Sequence, residues 1–357
     1  MTAEYRPRLD GTPRDNAAEL RRLLATERPG RLLLPAGRHL VAGNLVLRDG
    51  WSLTGATDAD GAAQTALVQF AAEEQPFVHV LGSHTTVADL VLDLPDAHPG
   101  IHDGDRWTAL TIGRYLYPTR PAWVEDVTVR GVLVSRAGRC PANSIAVMGA
   151  VRRLDLGDVE VRGGGTGVAV HWGAVGTDVR DLTGPSFHPH LLTIHDLLVA
   201  DAYEGFYLSS VHDVSVLRTR LDGVEIGFRL LPGDNTDRFH EAGDGARVSS
   251  RIDVHDCEIG WRGDLYALRV AGWGRSEIDR RVTRLDYRDL TIRDVVVRPC
   301  RPLDGSACAT GDRVAIVIEN VGAVAFERLH LTGGSGIVPV RLDGRDVPLS
   351  ALTDTKS

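Results

Sequence analysis

Apolar residues recur along this chain with two different periods. In DNAAELRRLLA, residues 15–25, they fall at helical spacing, with Asp15 or Asn16 placed as the N-cap. Beyond RPGRLLLPAGRHLVAGNLVL no second long helical pattern follows. Short runs of Val, Ile and Leu take over, separated by Gly and Asp, which is the pattern of strands and turns.

The runs repeat. VTVRGVLV (127–134), LDLGDVEV (154–161), LTIHDLLV (192–199), VSVLRTRL (214–221), IDVHDCEI (252–259), LDYRDLTI (285–292) and AFERLHL (325–331) share one frame: alternating apolar positions, a two-residue polar corner, then apolar positions again. Asp158, Asp196, Asp256 and Asp289 fall at that corner and read as structural turn formers. A second set accompanies the first: TALTIG (108–113), SIAVMG (144–149), VAVHWG (168–173), FYLSSV (206–211), FRLLPG (228–233), ALRVAG (267–272) and AIVIEN (315–320). Strand-like units repeating every 22–30 residues predict a solenoid. The expected fold is all-β, a right-handed parallel β-helix of about nine or ten coils. It forms a single domain, with residues 1–30 as an N-terminal cap carrying the helix, 31–345 as coils with inserted loops, and 346–357 as a tail.

Stacking the second set predicts neighbours, because equivalent residues of successive coils lie ~4.8 Å apart. Ile112, Met148, Trp172, Leu208, Leu230, Val270 and Ile318 form the expected inward column. Thr111, Val147, His171, Tyr207, Arg229, Arg269 and Val317 form the outward one, with chemically versatile side chains in its middle. Ala169, Gly205, Gly227 and Ala267 are expected beside it as a small-residue floor on which a ligand could lie, with Tyr203 and Glu225 on the far side. Long insertions follow the same strands at 174–190, 233–250 and 272–281, where loops of this length usually carry function.

The segment DGTPRDNAAELRRLLATERPGRLLLPAGRHLVAGNLVLRDGWSLTGA (10–56) resembles the start of pectin-lyase-like β-helix proteins. In those proteins an Asp-Gly-rich start, a capping helix, an LPAG strand and a G-x-L-x-L strand lead into the first coils. The resemblance implies the fold. It leaves open a range of activities: polysaccharide lyases, glycosidases, epimerases, transglycosidases and non-catalytic adhesins share it.

Composition narrows the classes. The chain has 357 residues, 43% hydrophobic and 25% charged, which is globular. A net charge of −8 argues against a nucleic-acid surface. Lys356 is the only lysine, so lysine chemistry is largely ruled out. No apolar run is long enough to span a membrane and no secretory leader is visible, so a cytoplasmic location is expected. Cys140, Cys257, Cys300 and Cys308 form no disulfide framework, and reduced thiols are expected. Oligomerisation stays open, with Trp261 and Trp273 available to a sugar ring or a partner subunit.

Paired carboxylates offer the first chemistry. Glu204 and Glu225 precede matching glycine–aromatic strand starts, so a pair one coil apart would suit a retaining glycosidase or transglycosidase. Asp234 and Asp237 are alternative partners on the loop. β-Elimination is the second chemistry, with Arg229 and Arg269 neutralising a uronate and Tyr207 or His171 as base. Arg238, His240, His188, His190, Tyr203 and Trp273 complete the expected substrate-binding set. No cofactor or metal is predicted; Ca2+ at Asp234, Asp237 and Glu241 and zinc at His171, His188 and His190 lack a fixed-spacing motif. Asn235-Thr236-Asp237 matches a polygalacturonase tripeptide, but the motifs that should follow it are missing. The expectation is a carbohydrate-active enzyme cleaving or transferring a glycosidic bond. The alternatives are a polysaccharide lyase, an intracellular isomerase or cyclase of a small metabolite, and a non-catalytic β-helix binding protein.

Overall fold

A computed structural model describes residues 3–95, 106–178, 182, 186–231, 250–275, 282–284, 287–300, 313–321, 324–332 and 337–353. Each coil runs through three parallel strands, which stack on their equivalents to build three sheets. The third sheet carries the candidate site. Its ten described strands are Leu45–Leu47, Val78–Val80, Leu110–Gly113, Ile145–Met148, Thr166–His171, Glu204–Ser209, 224–231, 266–271, Arg313–Glu319 and Ile337–Leu342. The described residues therefore form ten coils, within the nine or ten that the repeat predicts. Among the described residues no helix is long and apolar enough to cross a membrane.

The corner between the first and second sheets is a single residue in the left-handed region. Asp158, Asp196, Asp256 and Asp294 hold φ of 52°, 54°, 54° and 53° there, beside Gly131 at 59°. Asp and Asn tolerate this conformation because a short polar side chain bonds locally. Asp289 does not belong to this stack. Its neighbours Arg288 and Leu290 pair with Ser250 and Ile252, which puts Asp289 opposite Arg251 at the other end of the first-sheet strand. LTIRDVVV (290–297), not LDYRDLTI, is the unit equivalent to LTIHDLLV. Corner aspartates and arginines of adjacent coils pair in forked fashion: Arg153 with Asp126, Arg218 with Asp196, Arg251 with Asp213, and Arg328 with Asp294.

The two ends are closed differently. Helix α1 spans Pro13–Leu24 and starts earlier than the periodicity predicts. Thr12 is the N-cap, Pro13 opens the first turn, and Asp15 closes a capping box with Thr12. Its Ala17, Leu20, Leu23 and Leu24 cover the first coil's apolar interior. At the other end Arg345–Val347 turns back antiparallel on Ile337–Leu342.

The register of the third sheet differs from expectation at two strands. The inward column is Ile112, Val147, Val170, Leu208, Leu230, Val270 and Ile318. Met148 and Trp172 are not in it. Met148 lies opposite His171, and Trp172 packs outside the barrel with Ala174, Leu182 and Tyr115. SIAVM and VAVHW carry apolar residues at both alternating phases, so period two gave no choice of face. The expected glycine floor is also reversed. A Cβ on Gly205 would meet the Leu221 side chain at 2.6 Å, and one on Gly167 the Val199 side chain at 2.7 Å; both partners are core residues. The small column Gly167, Gly205, Gly227 and Ala267 therefore faces the interior, making room for Val199, Leu221 and Ile259 at a bend.

Candidate functional site

The outward column of the third sheet runs His79, Thr111, Ala146, Ala169, Tyr207, Arg229, Arg269, Val317 and Arg341. Ala146 and Ala169, with Met148 beside them, form the small apolar floor, and Tyr207 packs against it. His171 is displaced two residues along its strand from Tyr207, yet their rings stay 5.8 Å apart. His171 Nδ1 lies 2.8 Å from the Trp172 carbonyl oxygen, and Tyr115 packs edge-on against the imidazole at 5.1 Å.

Past the floor sits a knot of charge. Arg229 lies over the Tyr207 ring, its guanidinium carbon 4.3 Å from the centroid. Its Nη2 donates to Glu204 Oε2 at 2.8 Å, and its Nε is 2.6 Å from Oε1. The Thr166 hydroxyl of the preceding coil donates to Glu204 Oε2 at 2.9 Å. Glu204 is 1% exposed. Burial raises its pKa, against the pull of Arg229 and Thr166. Burial works against the charge of Arg229 too, but Glu204 and the phenols of Tyr207 and Tyr266 outweigh it, and its pKa rises. One coil on, Arg269 donates to Glu319 Oε2 at 2.7 Å and stands 5.6 Å from the Tyr266 ring centroid.

Glu225 is not the equivalent of Glu204. Glu204 pairs with Ile226, so Glu225 falls opposite Tyr203, whose carbonyl accepts from the Glu225 N–H at 3.0 Å. The sequence offset is one residue because EIGF holds one residue more than EGF. The two carboxylates accordingly take different arginines. Arg139 Nη1 lies 2.5 Å from Glu225 Oε1, and Arg139 Nη2 donates to the Gly223 carbonyl. Glu225 Oε2 is buried and has no hydrogen-bond partner among the described residues. Tyr203, 45% exposed, rims this cluster. Its phenol is raised first by burial and then by Tyr266, Glu204 and Glu225.

Glu204, Glu225, Tyr203, Tyr207, Arg229 and Arg269 thus share one face, with His171 at its edge. His188 and His190 do not join them. His188 is buried, with Nε2 3.0 Å from the Ser186 hydroxyl and Nδ1 2.9 Å from His212 Nε2. His190 packs edge-on against Trp123 at 4.8 Å. Trp261 is fully buried in the core and is not available to a sugar ring or a partner, while the backbone of Trp273 belongs to a hairpin, Trp273–Arg275 with Val282–Arg284. Asp234, Asp237, Arg238 and His240 lie outside the described residues, as does Glu241 of the Ca2+ suggestion. Among the described residues no three His, Cys, Asp or Glu side chains gather as a metal site. Thr166, Arg139, Tyr266 and Glu319 escape sequence reading. Thr166 had a signal, as the first residue of a repeat strand; Arg139 had none, since its partner lies 86 residues away.

No family model and no curated protein matches the sequence. Solved structures do match the fold. An endo-xylogalacturonan hydrolase from Aspergillus tubingensis aligns with 99% of this chain and 98% of its own, at 12% identity and a TM-score of 0.54. The enzymatically active domain of tailspike protein 2 from bacteriophage CBA120 aligns with 93% of this chain at 9% identity and the same TM-score of 0.54; the match spans 45% of that chain. With ten parallel coils among the described residues, a capping helix and these neighbours, the chain has a right-handed parallel β-helix fold.

Proposed function

We propose that the outer face of the third sheet is the reaction surface of a carbohydrate-active enzyme that cleaves or transfers a glycosidic bond. The observation that carries the reading is the Glu225 carboxylate. Arg139 holds one oxygen, and the other is buried without a hydrogen-bond partner among the described residues, beside a tyrosine-rimmed cluster of opposite charges. A buried unpaired carboxylate oxygen costs stability and calls for a role beyond folding. Glu225 serves as the group that moves the proton to or from the glycosidic oxygen. Glu204 acts through Arg229, fixing its guanidinium over Tyr207. Arg229 and Arg269 bind substrate oxygens, and Tyr203 and Tyr207 offer ring faces to a sugar. Elimination from a uronate is a second reading, favoured by the stack of Arg229 on Tyr207.

The test is a product screen of the purified protein on neutral fructans, neutral glucans and uronic-acid polymers. Reducing ends and the ultraviolet absorbance of an unsaturated uronate are read together. New reducing ends that fall about 100-fold or more in Glu225→Gln support the proposal. Absorbance without hydrolysis selects elimination. No product from any polymer removes the glycosidic reading.

A further inference from the structure

A cavity of about 350 Å3 opens at the other end of the same sheet, beside Leu110–Gly113. Glu74, His79, Arg106, Arg114, Tyr115 and Asp178 supply most of its wall. The volume suits a small ligand, and the lining is polar rather than apolar. Most of these groups are engaged. Arg106 Nη1 lies 2.8 Å from Glu74 Oε1. His79 is buried, its Nε2 2.8 Å from the Gly113 carbonyl oxygen. Tyr115 is wedged against His171 and Trp172, each at 5.1 Å.

Arg114 is different. Its backbone is anchored, the N–H donating to the Met148 carbonyl at 3.0 Å and lying 3.2 Å from the Tyr117 hydroxyl. Its guanidinium has no carboxylate and no hydrogen-bond partner among the described residues. Arg229 and Arg269, on the same face, each hold a glutamate. An arginine fixed at its backbone, lining a cavity and lacking an acid presents its donor fork to whatever enters.

We infer that this cavity binds a small hydroxyl-rich ligand bearing one carboxylate or phosphate. Arg114 takes the anionic group in its fork. Glu74 and Asp178 accept from hydroxyls, a combination that a bare inorganic anion would not use. The register Thr111, Ala146, Ala169, Tyr207, Arg229 places the cavity four coils from Arg229, ~19 Å at ~4.8 Å per coil. The inference therefore goes beyond the proposed reaction and does not rest on it.

Calorimetric titration of the full chain with glucuronate, glucose 6-phosphate and glucose tests it. At least one anionic sugar binds, and glucose binds about tenfold more weakly or not at all. Comparing the two anions tells carboxylate from phosphate. Arg114→Gln abolishes the preference for the anion, and Arg114→Lys, which keeps the charge but not the fork, retains part of it. Glu225→Gln, which stops the proposed turnover, binds like the wild type, so failure of one proposal is distinguishable from failure of the other. The inference is overturned if neither anion binds, if glucose binds as tightly as both, or if Arg114→Gln keeps the preference.

Discussion

Glu204 carries a charge in a place that charges avoid, and Arg229 is the reason it can. Removing one member of a buried ion pair strands the other, at a cost of about 3–5 kcal/mol, whereas replacing both with apolar groups is often neutral. Arg229→Met, which strands the Glu204 carboxylate, should therefore destabilise the protein by about 3 kcal/mol, and Glu204→Leu with Arg229→Met should recover most of that. Denaturant titration of the single and double variants checks it. The pH dependence has a definite sign. Burial raises the folded-state pKa of Glu204 above its ordinary 4.5, so the folded state favours the protonated form. Its contribution is complete below that value and is lost as pH rises through the folded pKa. The wild type should lose stability over that rise, and Glu204→Gln should not, in unfolding curves measured at a series of pH values. A loss that persists unchanged in the variant would assign it to another group.

At the scale of single elements, the strand bend and the corner set the tolerances. The bend of the third sheet leaves no room for a Cβ at Gly167, Gly205 and Gly227. A Cβ on Gly227 would press on the Ala267 carbonyl and stand 2.8 Å from the Ile259 side chain, and backbone cannot yield as a side-chain tip can. Gly227→Ala should cost about 1–3 kcal/mol through overpacking, read as a lowered thermal midpoint. At the corners, the left-handed residue matters apart from its charge. Asp196→Ala and Asp196→Gly both lose the fork with Arg218, but glycine accepts the φ of 54° and alanine resists it. The glycine variant should be the more stable by about 1 kcal/mol. Arg218 and then His195 hold Asp196 far below the usual carboxylate range, and Arg153 and Arg328 lower Asp126 and Asp294. Depressed carboxylates contribute stability above their ordinary pKa and lose it as pH falls through the folded value. These pairs are exposed, so the acid-side loss should shrink in high salt.

For the whole molecule, a solenoid is only as soluble as its ends. Each coil pairs with the next, and the first has α1 and the strand Ala3–Tyr5 in place of a preceding coil. Deleting residues 1–29 would bare the edge of Gly30–Leu33 and the apolar interior around Leu32 and Leu45. An uncovered edge over an apolar interior recruits other chains. The truncated protein should associate at concentrations where the full chain does not, by light scattering. A monodisperse truncation would mean that the cap is dispensable.

The fold was legible because its cause is periodic. A strand-length apolar run with a polar corner, repeated in every coil, has few ways to bury itself other than by stacking on its own copies. The versatile column was legible for the same reason at Tyr207, Arg229 and Arg269, where polar residues mark the outward phase. Phase failed at Met148 and Trp172, where both faces of the strand are apolar because covering segments bury the outer one too. It failed at Asp289, where two left-handed corners bracket one strand and local sequence does not say which is which. Partners across coils were out of reach altogether. The sequence by itself determined a parallel β-helix and the residue types on one of its faces. Only the tertiary structure decided that Glu204 belongs to Arg229 and Thr166, that Glu225 belongs to Arg139, and that the glycines point inward, because pairing depends on register, and a slip of one residue turns every side chain to the other face.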